Sequence, residues 1–259
     1  MRRKTTRGHQ FIHIRETENT PLFRIRDMEL TCSVNFIIWN KAYSVFAYQT
    51  FILQEGYLFR HAADIVVPQI LQIWKNVSIN IAPVSLQDAL ASNSNTESQS
   101  SMLGKRLVGD KRSWIIPLNI TGIEPSQYPD YPVDYAGFKV TTSMKNAPNI
   151  PTRLPFPPFN HYVIEMTVLK SLVLRHQYIF ADEANAERIR FRDRAIVQLH
   201  ALPVEQRPSG FARIFNQRHR PDISAGEDFA PPEEWTYFDD EMLKFLETRY
   251  PKLSEQLKR

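Results

Sequence analysis

The sequence predicts an α+β protein with a strand-rich N-terminal half, a proline-rich extended middle and a helical C-terminal half. Three observations predict it. Residues 11–38 carry short runs of β-branched and aromatic residues separated by a polar turn. Nine prolines fall in the 42 residues from Pro117 to Pro158, a density at which a backbone cannot close its own ladders and runs extended. Residues 181–202 and 239–250 carry the start and stop signals of helices. The 259 residues suffice for one large domain or two small ones. Composition divides them into a basic arm at 1–15, a strand-rich region at 16–121 with a polar insert at 85–112, a Pro-rich tract at 122–160 and a helical region at 161–259.

In chain order, 11–15, 22–26 and 30–38 read as three short strands in a meander. Residues 33–54 form the longest apolar stretch, nearly long enough to span a bilayer. Lys41 near its middle would cost roughly 2.5–3.5 kcal/mol at a bilayer centre. A buried strand or core helix is therefore expected there, with a lone transmembrane helix as the alternative. A helix from Ala62 to Trp74, kinked at Pro68, and a short strand at 77–81 follow. Residues 92–101 (SNSNTESQSS) are of low complexity. The segment Gly104 to Arg112 holds four basic residues and reads as a solvated loop that could contact an anion. Residues 113–121 form a strand interrupted by Pro117, which places it at an edge or a bulge.

In the tract, the aromatics of 128–135 and 155–159 must pack on the chain's own body or anchor in a neighbour. Spacing predicts a helix over 161–180, although the alternation Ile164, Met166, Val168 also fits a strand. Ala181 to Leu202 reads as a helix capped by Asp182 and stopped by Pro203, with Ile189, Ile196 and Leu199 as its buried stripe. Its four arginines, 188, 190, 192 and 194, alternate between faces and have acids beside them, the pattern of a salt-bridged surface helix. A final helix spans Asp239 to Tyr250, with Met242, Phe245 and Leu246 on its apolar face.

The segment 207–220 differs: it holds four arginines, His219 and two phenylalanines and no acid. Phe211, Ile214 and Phe215 fall at helical spacing and could fix it to the body, leaving Arg213, Arg218, His219 and Arg220 for phosphate, which arginine binds with two parallel hydrogen bonds. Arg207, with Arg2, Arg3, Lys4 and Arg7 of the arm and Lys105 and Arg106 of the insert, completes the candidate RNA-binding set. The rival partner is internal, since residues 221–259 hold ten acids and five bases.

Net charge is +4, a mild excess that permits an anionic partner without demanding one. Eight glycines against eighteen prolines disfavour phosphate-cradling loops. One cysteine excludes an internal disulfide and any site with two thiolates. None of the strong nucleotide, zinc-protease or serine-hydrolase motifs occurs, the seven histidines are scattered, and neither a metal, a cofactor nor a catalytic residue is expected.

Proline-rich tracts, basic arms and scarce glycine resemble, in style, the supernumerary subunits of large organellar assemblies such as mitochondrial ribosomes. The resemblance implies a non-catalytic structural subunit of a ribonucleoprotein, mitochondrial in location, that contacts RNA phosphate and neighbouring proteins. Two alternatives stand beside it. An accessory subunit of a mitochondrial respiratory complex would meet the membrane through 33–54, and a viral or phage structural protein would rest on the strand-rich half. Outside the mitochondrion, a cytoplasmic location is expected.

Overall fold

The computed structural model describes residues 2–4, 11–13, 22, 25, 28, 30–59, 79–82, 102–143, 161–208, 211 and 229–257. These form an α+β fold of small sheets and a helical layer. The expected helix at 62–74 and the low-complexity run at 92–101 lie outside the described residues.

Strand β1 (Arg2–Lys4) pairs antiparallel with β2 (Phe11–His13). Of the second expected strand, 22–26, the described residues Leu22 and Ile25 occupy 3-10 turns, with both side chains buried in the core. The stretch 33–54, expected as a single buried strand or helix, folds instead as a hairpin and a tight turn. Strands β3 (Asn35–Ile37) and β4 (Lys41–Ser44) pair antiparallel, and a π-type turn over Tyr48–Ile52 follows. Asn40 and Lys41, which weaken this stretch as a span, form the hairpin turn and its exit. Among the described residues no helix is long and apolar enough to cross a membrane. Strand β5 (Glu55–Tyr57) runs parallel to β6 (Asn80–Ala82), which overlaps the strand expected at 77–81.

The basic segment 104–112 at the end of the insert opens with a strand before its turn: β7 (Gly104–Leu107) pairs with β9 (Gly137–Ser143). Strand β8 (Trp114–Pro117) joins β4 at the edge of the β3–β4–β8 sheet, the edge position that Pro117 requires. The Pro-rich tract is not extended throughout. Tyr131–Asp134 make a single helical turn, α1, because Pro132 sits in its first positions, where a missing N–H costs nothing. The turn is held close to the loop after β7. Gly109 donates to the Asp134 carbonyl at 2.9 Å, and a Cβ on Gly109 would lie 2.7 Å from that oxygen, so only glycine permits this approach.

Residues 161–180 are strands, not a helix. β10 (His161–Glu165) pairs with β9, and β11 (Thr167–Leu169) with β12 (Tyr178–Phe180). The period-two pattern holds because Tyr162 and Ile164 point inward while Glu165, opposite Lys139, points to solvent. Helix α2 spans Asn185–Ala201. Its buried stripe is Phe191, Ala195 and Leu199, spaced by four. Ile189, two residues before Phe191, falls on the opposite side and is 46% exposed. Asp182 does not cap this helix; it pairs with Lys105 and Arg249. Helix α3 (Asp239–Arg249) stands where the sequence places it and stops before Pro251, which opens a further helix, α4 (Pro251–Leu257).

Two apolar clusters result. The first joins Val34, Tyr43, Val45 and Phe46 to Phe138, Val140, Tyr162 and Ile164, and so brings the β3–β4–β8 and β10–β9–β7 sheets together. The second packs Phe191, Ala195 and Leu199 of α2 on Met242 and Leu246 of α3, Tyr178 and Phe180 of β12, and Trp235. The segment at the end of α1 belongs to both: Ala136 enters the first cluster and Tyr135 the second.

Candidate functional site

The α1 turn carries the densest polar chemistry of the described residues. Asp134 is buried, and both of its carboxylate oxygens are engaged: Tyr43 Oη donates to Oδ1 at 2.7 Å and Lys41 Nζ to Oδ2 at 2.9 Å. Asp130, one turn earlier, accepts from Trp39 Nε1 at 2.8 Å and Asn40 Nδ2 at 2.7 Å, and pairs with Lys41 at 3.0 Å. Trp39, Asn40, Lys41 and Tyr43 of the β3–β4 hairpin therefore close on two carboxylates far downstream in the chain.

The electrostatics follow from that geometry. Burial alone would raise Asp130, but the hydrogen bonds from Asn40, Lys41 and Trp39 and the Lys41 charge outweigh it and hold the carboxyl below its usual value. Burial would lower Lys41; its two carboxylate partners overcome this and raise it. The Tyr43 phenol is raised, first by burial and then by the Asp134 charge and hydrogen bond, and stays a donor across the physiological range.

A second cluster sits on the other side of α1. Asp239, the first residue of α3, accepts from Tyr178 Oη at 2.7 Å and from the backbone N–H groups of Arg175 at 2.9 Å and His176 at 3.3 Å. Tyr131 Oη lies 3.2 Å from Tyr178 Oη, and the rings of Tyr128 and Tyr131 meet His176 edge to face. Burial, then the Tyr131 and Asp239 interactions, raise Tyr178; burial lowers His176 against the opposing pull of Asp239. In both clusters the carboxylates are held by donors of the chain itself: Asp130 and Asp134 tie the hairpin of the first core to α1, and Asp239 ties β12 to α3 within the second.

The candidate RNA-binding residues are scattered. Arg106 is 4% exposed, its guanidinium bound in a fork to Asp110, donating to Ser113 and lying over the Phe46 and Phe138 rings. It is a core residue and leaves the candidate set, because a phosphate could reach it only by displacing those partners. Lys105 remains exposed and pairs with Asp182 at 2.9 Å. Arg207 donates to the carbonyls of Leu202 and His200, which closes the C-terminal end of α2, and stacks on Phe211. Arg2, Arg3 and Lys4 lie on β1. Arg7, Arg213, Arg218, His219 and Arg220 lie outside the described residues.

On α2, Arg190 and Arg194 both reach Glu241 of α3, at 2.6 and 2.9 Å. Among the described residues, the acid-rich C-terminal segment thus meets arginines of α2; whether 213–220 also meets it lies outside them. Gln198 adds a two-way amide pair with the Thr236 backbone.

The feature that sequence reasoning missed is a surface. Residues opposite one another in an antiparallel sheet share a face. Ile37, Ala42 and Ile116 therefore form one row of the β3–β4–β8 sheet, and Asn35, Ser44 and Trp114 the next. The other face, with Phe36, Tyr43 and Ile115, is packed into the first cluster. On the outer face Ile37 is 72% exposed, Ile116 53% and Trp114 43%. Trp114 stacks on Phe51 at 5.2 Å, and Tyr48, Ile52 and Leu53 of the adjoining turn are exposed beside it. The continuous apolar run of 33–54 hinted at this, since a hairpin buried on one face only should alternate.

No family model matches the chain, and neither a curated protein nor a solved structure is significantly similar to it.

Proposed function

We propose that the chain is a non-catalytic structural subunit of a larger assembly, attached through the outer face of the β3–β4–β8 sheet. The observation that carries this reading is that face: seven large apolar side chains, Ile37, Tyr48, Phe51, Ile52, Leu53, Trp114 and Ile116, exposed on one sheet and the turn beside it. Single exposed apolar residues are ordinary, but a contiguous group marks a surface that is covered in use. The clasped carboxylates support the same reading, since Asp134 holds the hairpin that bears the face on the α1 turn and so presents a preformed surface.

The ribonucleoprotein form of this reading, in a mitochondrial ribosome, keeps RNA phosphate as a partner of the arm and of 213–220. Arg190, Arg194 and Arg207 are engaged with the protein itself, so the test of this form falls on Arg213, Arg218 and Arg220.

The test is zonal sedimentation of a native extract. Wild-type chain is expected in a heavy fraction, and the double variant Ile37→Ser/Ile116→Ser in a light one with an unchanged circular dichroism spectrum. Co-sedimentation of the two overturns the proposal.

A further inference from the structure

We infer that the partner of this face is the surface of an anionic lipid bilayer, an inference that rests on the reading of the face as a docking surface. Two observations select this occupant.

The first is side-chain type. The turn Tyr48–Ile52 and the residue after it present Tyr48, Phe51, Ile52 and Leu53, and the sheet adds Trp114, Ile37 and Ile116. Aliphatic side chains flanked by Trp and Tyr are what the boundary between headgroups and acyl chains accommodates, because indole and phenol have an apolar body and a polar tip.

The second is charge. Lys111 is exposed and Arg112 half-buried, both in the turn that leads into Trp114; the acid of that turn, Asp110, is paired with Arg106, and no carboxylate belongs to the paired rows of the face. Glu55, the nearest acid in sequence to the turn, is engaged by Tyr57 Oη. Cations beside an apolar patch complement an anionic leaflet. A second copy of the chain would bring the same two cations to the same rim, which disfavours self-association.

Purified full-length protein would be sedimented with vesicles of phosphatidylcholine containing about a quarter phosphatidylserine, and with vesicles of phosphatidylcholine alone. Binding roughly tenfold or more tighter to the anionic vesicles is expected, as the contribution of two cations at the surface. Phe51→Ser/Ile52→Ser is expected to abolish it, and Lys111→Glu/Arg112→Glu to remove the preference for anionic lipid. Ile189→Ser, a similar removal of exposed apolar surface on α2, should bind as wild type. Absence of wild-type binding to anionic vesicles overturns the inference, as does binding by the Phe51/Ile52 variant at the wild-type level. If vesicles are not bound but Ile37→Ser/Ile116→Ser still leaves the heavy fraction, the face is covered by protein: the lipid inference fails and the docking surface stands. A dimer in sedimentation equilibrium that the same variants dissociate likewise replaces the bilayer with a second copy.

Discussion

The Tyr43 hydroxyl donates to Asp134 Oδ1 at 2.7 Å, in the core and across ninety-one positions of sequence. That hydrogen bond, with the one from Lys41 to the other carboxylate oxygen, ties the hairpin that bears the apolar face to the α1 turn that joins the two clusters. Removing the shared acceptor should be much more damaging than removing one donor. Asp134→Ala leaves the buried Tyr43 phenol without an acceptor and Lys41 with Asp130 alone, and is expected to cost about 2–3 kcal/mol. Tyr43→Phe removes one hydrogen bond and is expected to cost about 1 kcal/mol. Urea unfolding of the two variants checks the ratio, and equal destabilisation would remove Asp134 from this role.

Acid should weaken the clasp through Asp130. A carboxyl held below its usual pKa contributes stability that is complete above the unfolded-state value and is lost as pH falls through the folded value. Unfolding midpoints should therefore fall below about pH 4. Asp130→Asn should be less stable at neutral pH and show a shallower acid limb. Lys41 and Tyr43 are both raised, so their contributions are complete below their unfolded-state values and are lost as pH rises through the folded ones, above about pH 10. An Asp130→Asn protein with the wild-type acid limb would refute the assignment.

Arginine interactions of similar length should differ in weight. Arg106→Lys gives up the fork to Asp110 and the packing on Phe46 and Phe138 in the core, and is expected to cost about 2–3 kcal/mol. Glu241→Ala breaks the ion pairs with Arg190 and Arg194, but at a partly exposed site, and should cost under about 1 kcal/mol. That smaller effect should shrink further in high salt, and thermal melts at two ionic strengths would show it.

Phosphate binding by the C-terminal basic stretch is tested separately. If it operates, Arg213→Ala/Arg218→Ala/Arg220→Ala should weaken RNA binding uniformly across sequences and flatten its dependence on salt by about one unit of slope for each phosphate no longer neutralised. A filter-binding salt titration with an unstructured RNA measures it. An unchanged slope assigns those arginines elsewhere.

Much of the fold can be read from local signals. The acids of its first turn, Asp239 to Glu241, with Met242 and Leu246, place α3, and Pro117 places β8 at an edge, because first-turn charge, helical periodicity and proline act within a few residues. Residues 161–180 are ambiguous for a physical reason: an apolar run with few polar interruptions satisfies both periods until a partner strand, here β9, selects one. The Pro-rich tract misleads in the opposite direction. Its prolines predict extension, yet Pro132 suits the first turn of a helix, and Gly109 lets the neighbouring loop seat it.

The sites are less legible than the fold. Lys41 in the sequence is a charge inside an apolar stretch; the acids that balance it, Asp130 and Asp134, lie in a tract whose composition suggests only irregular backbone. Arg106 and Lys105 are adjacent and alike in sequence, and strand geometry sends one into the core and the other to solvent. The outer apolar face depends on the register of three strands, two from one end of the apolar stretch and one from far along the chain, which no local pattern encodes.

Hydrogen–deuterium exchange, compared between the purified chain and the chain in its native heavy fraction, asks whether this face is the one that is covered. Exchange is expected to slow in the assembly across residues 35–53 and 114–117, while the exposed side of α2 around Ile189 and Val197 stays unchanged. Unchanged exchange at 35–53 and 114–117, with new protection elsewhere, would place the attachment surface on another part of the molecule and refute the docking role of the β3–β4–β8 face.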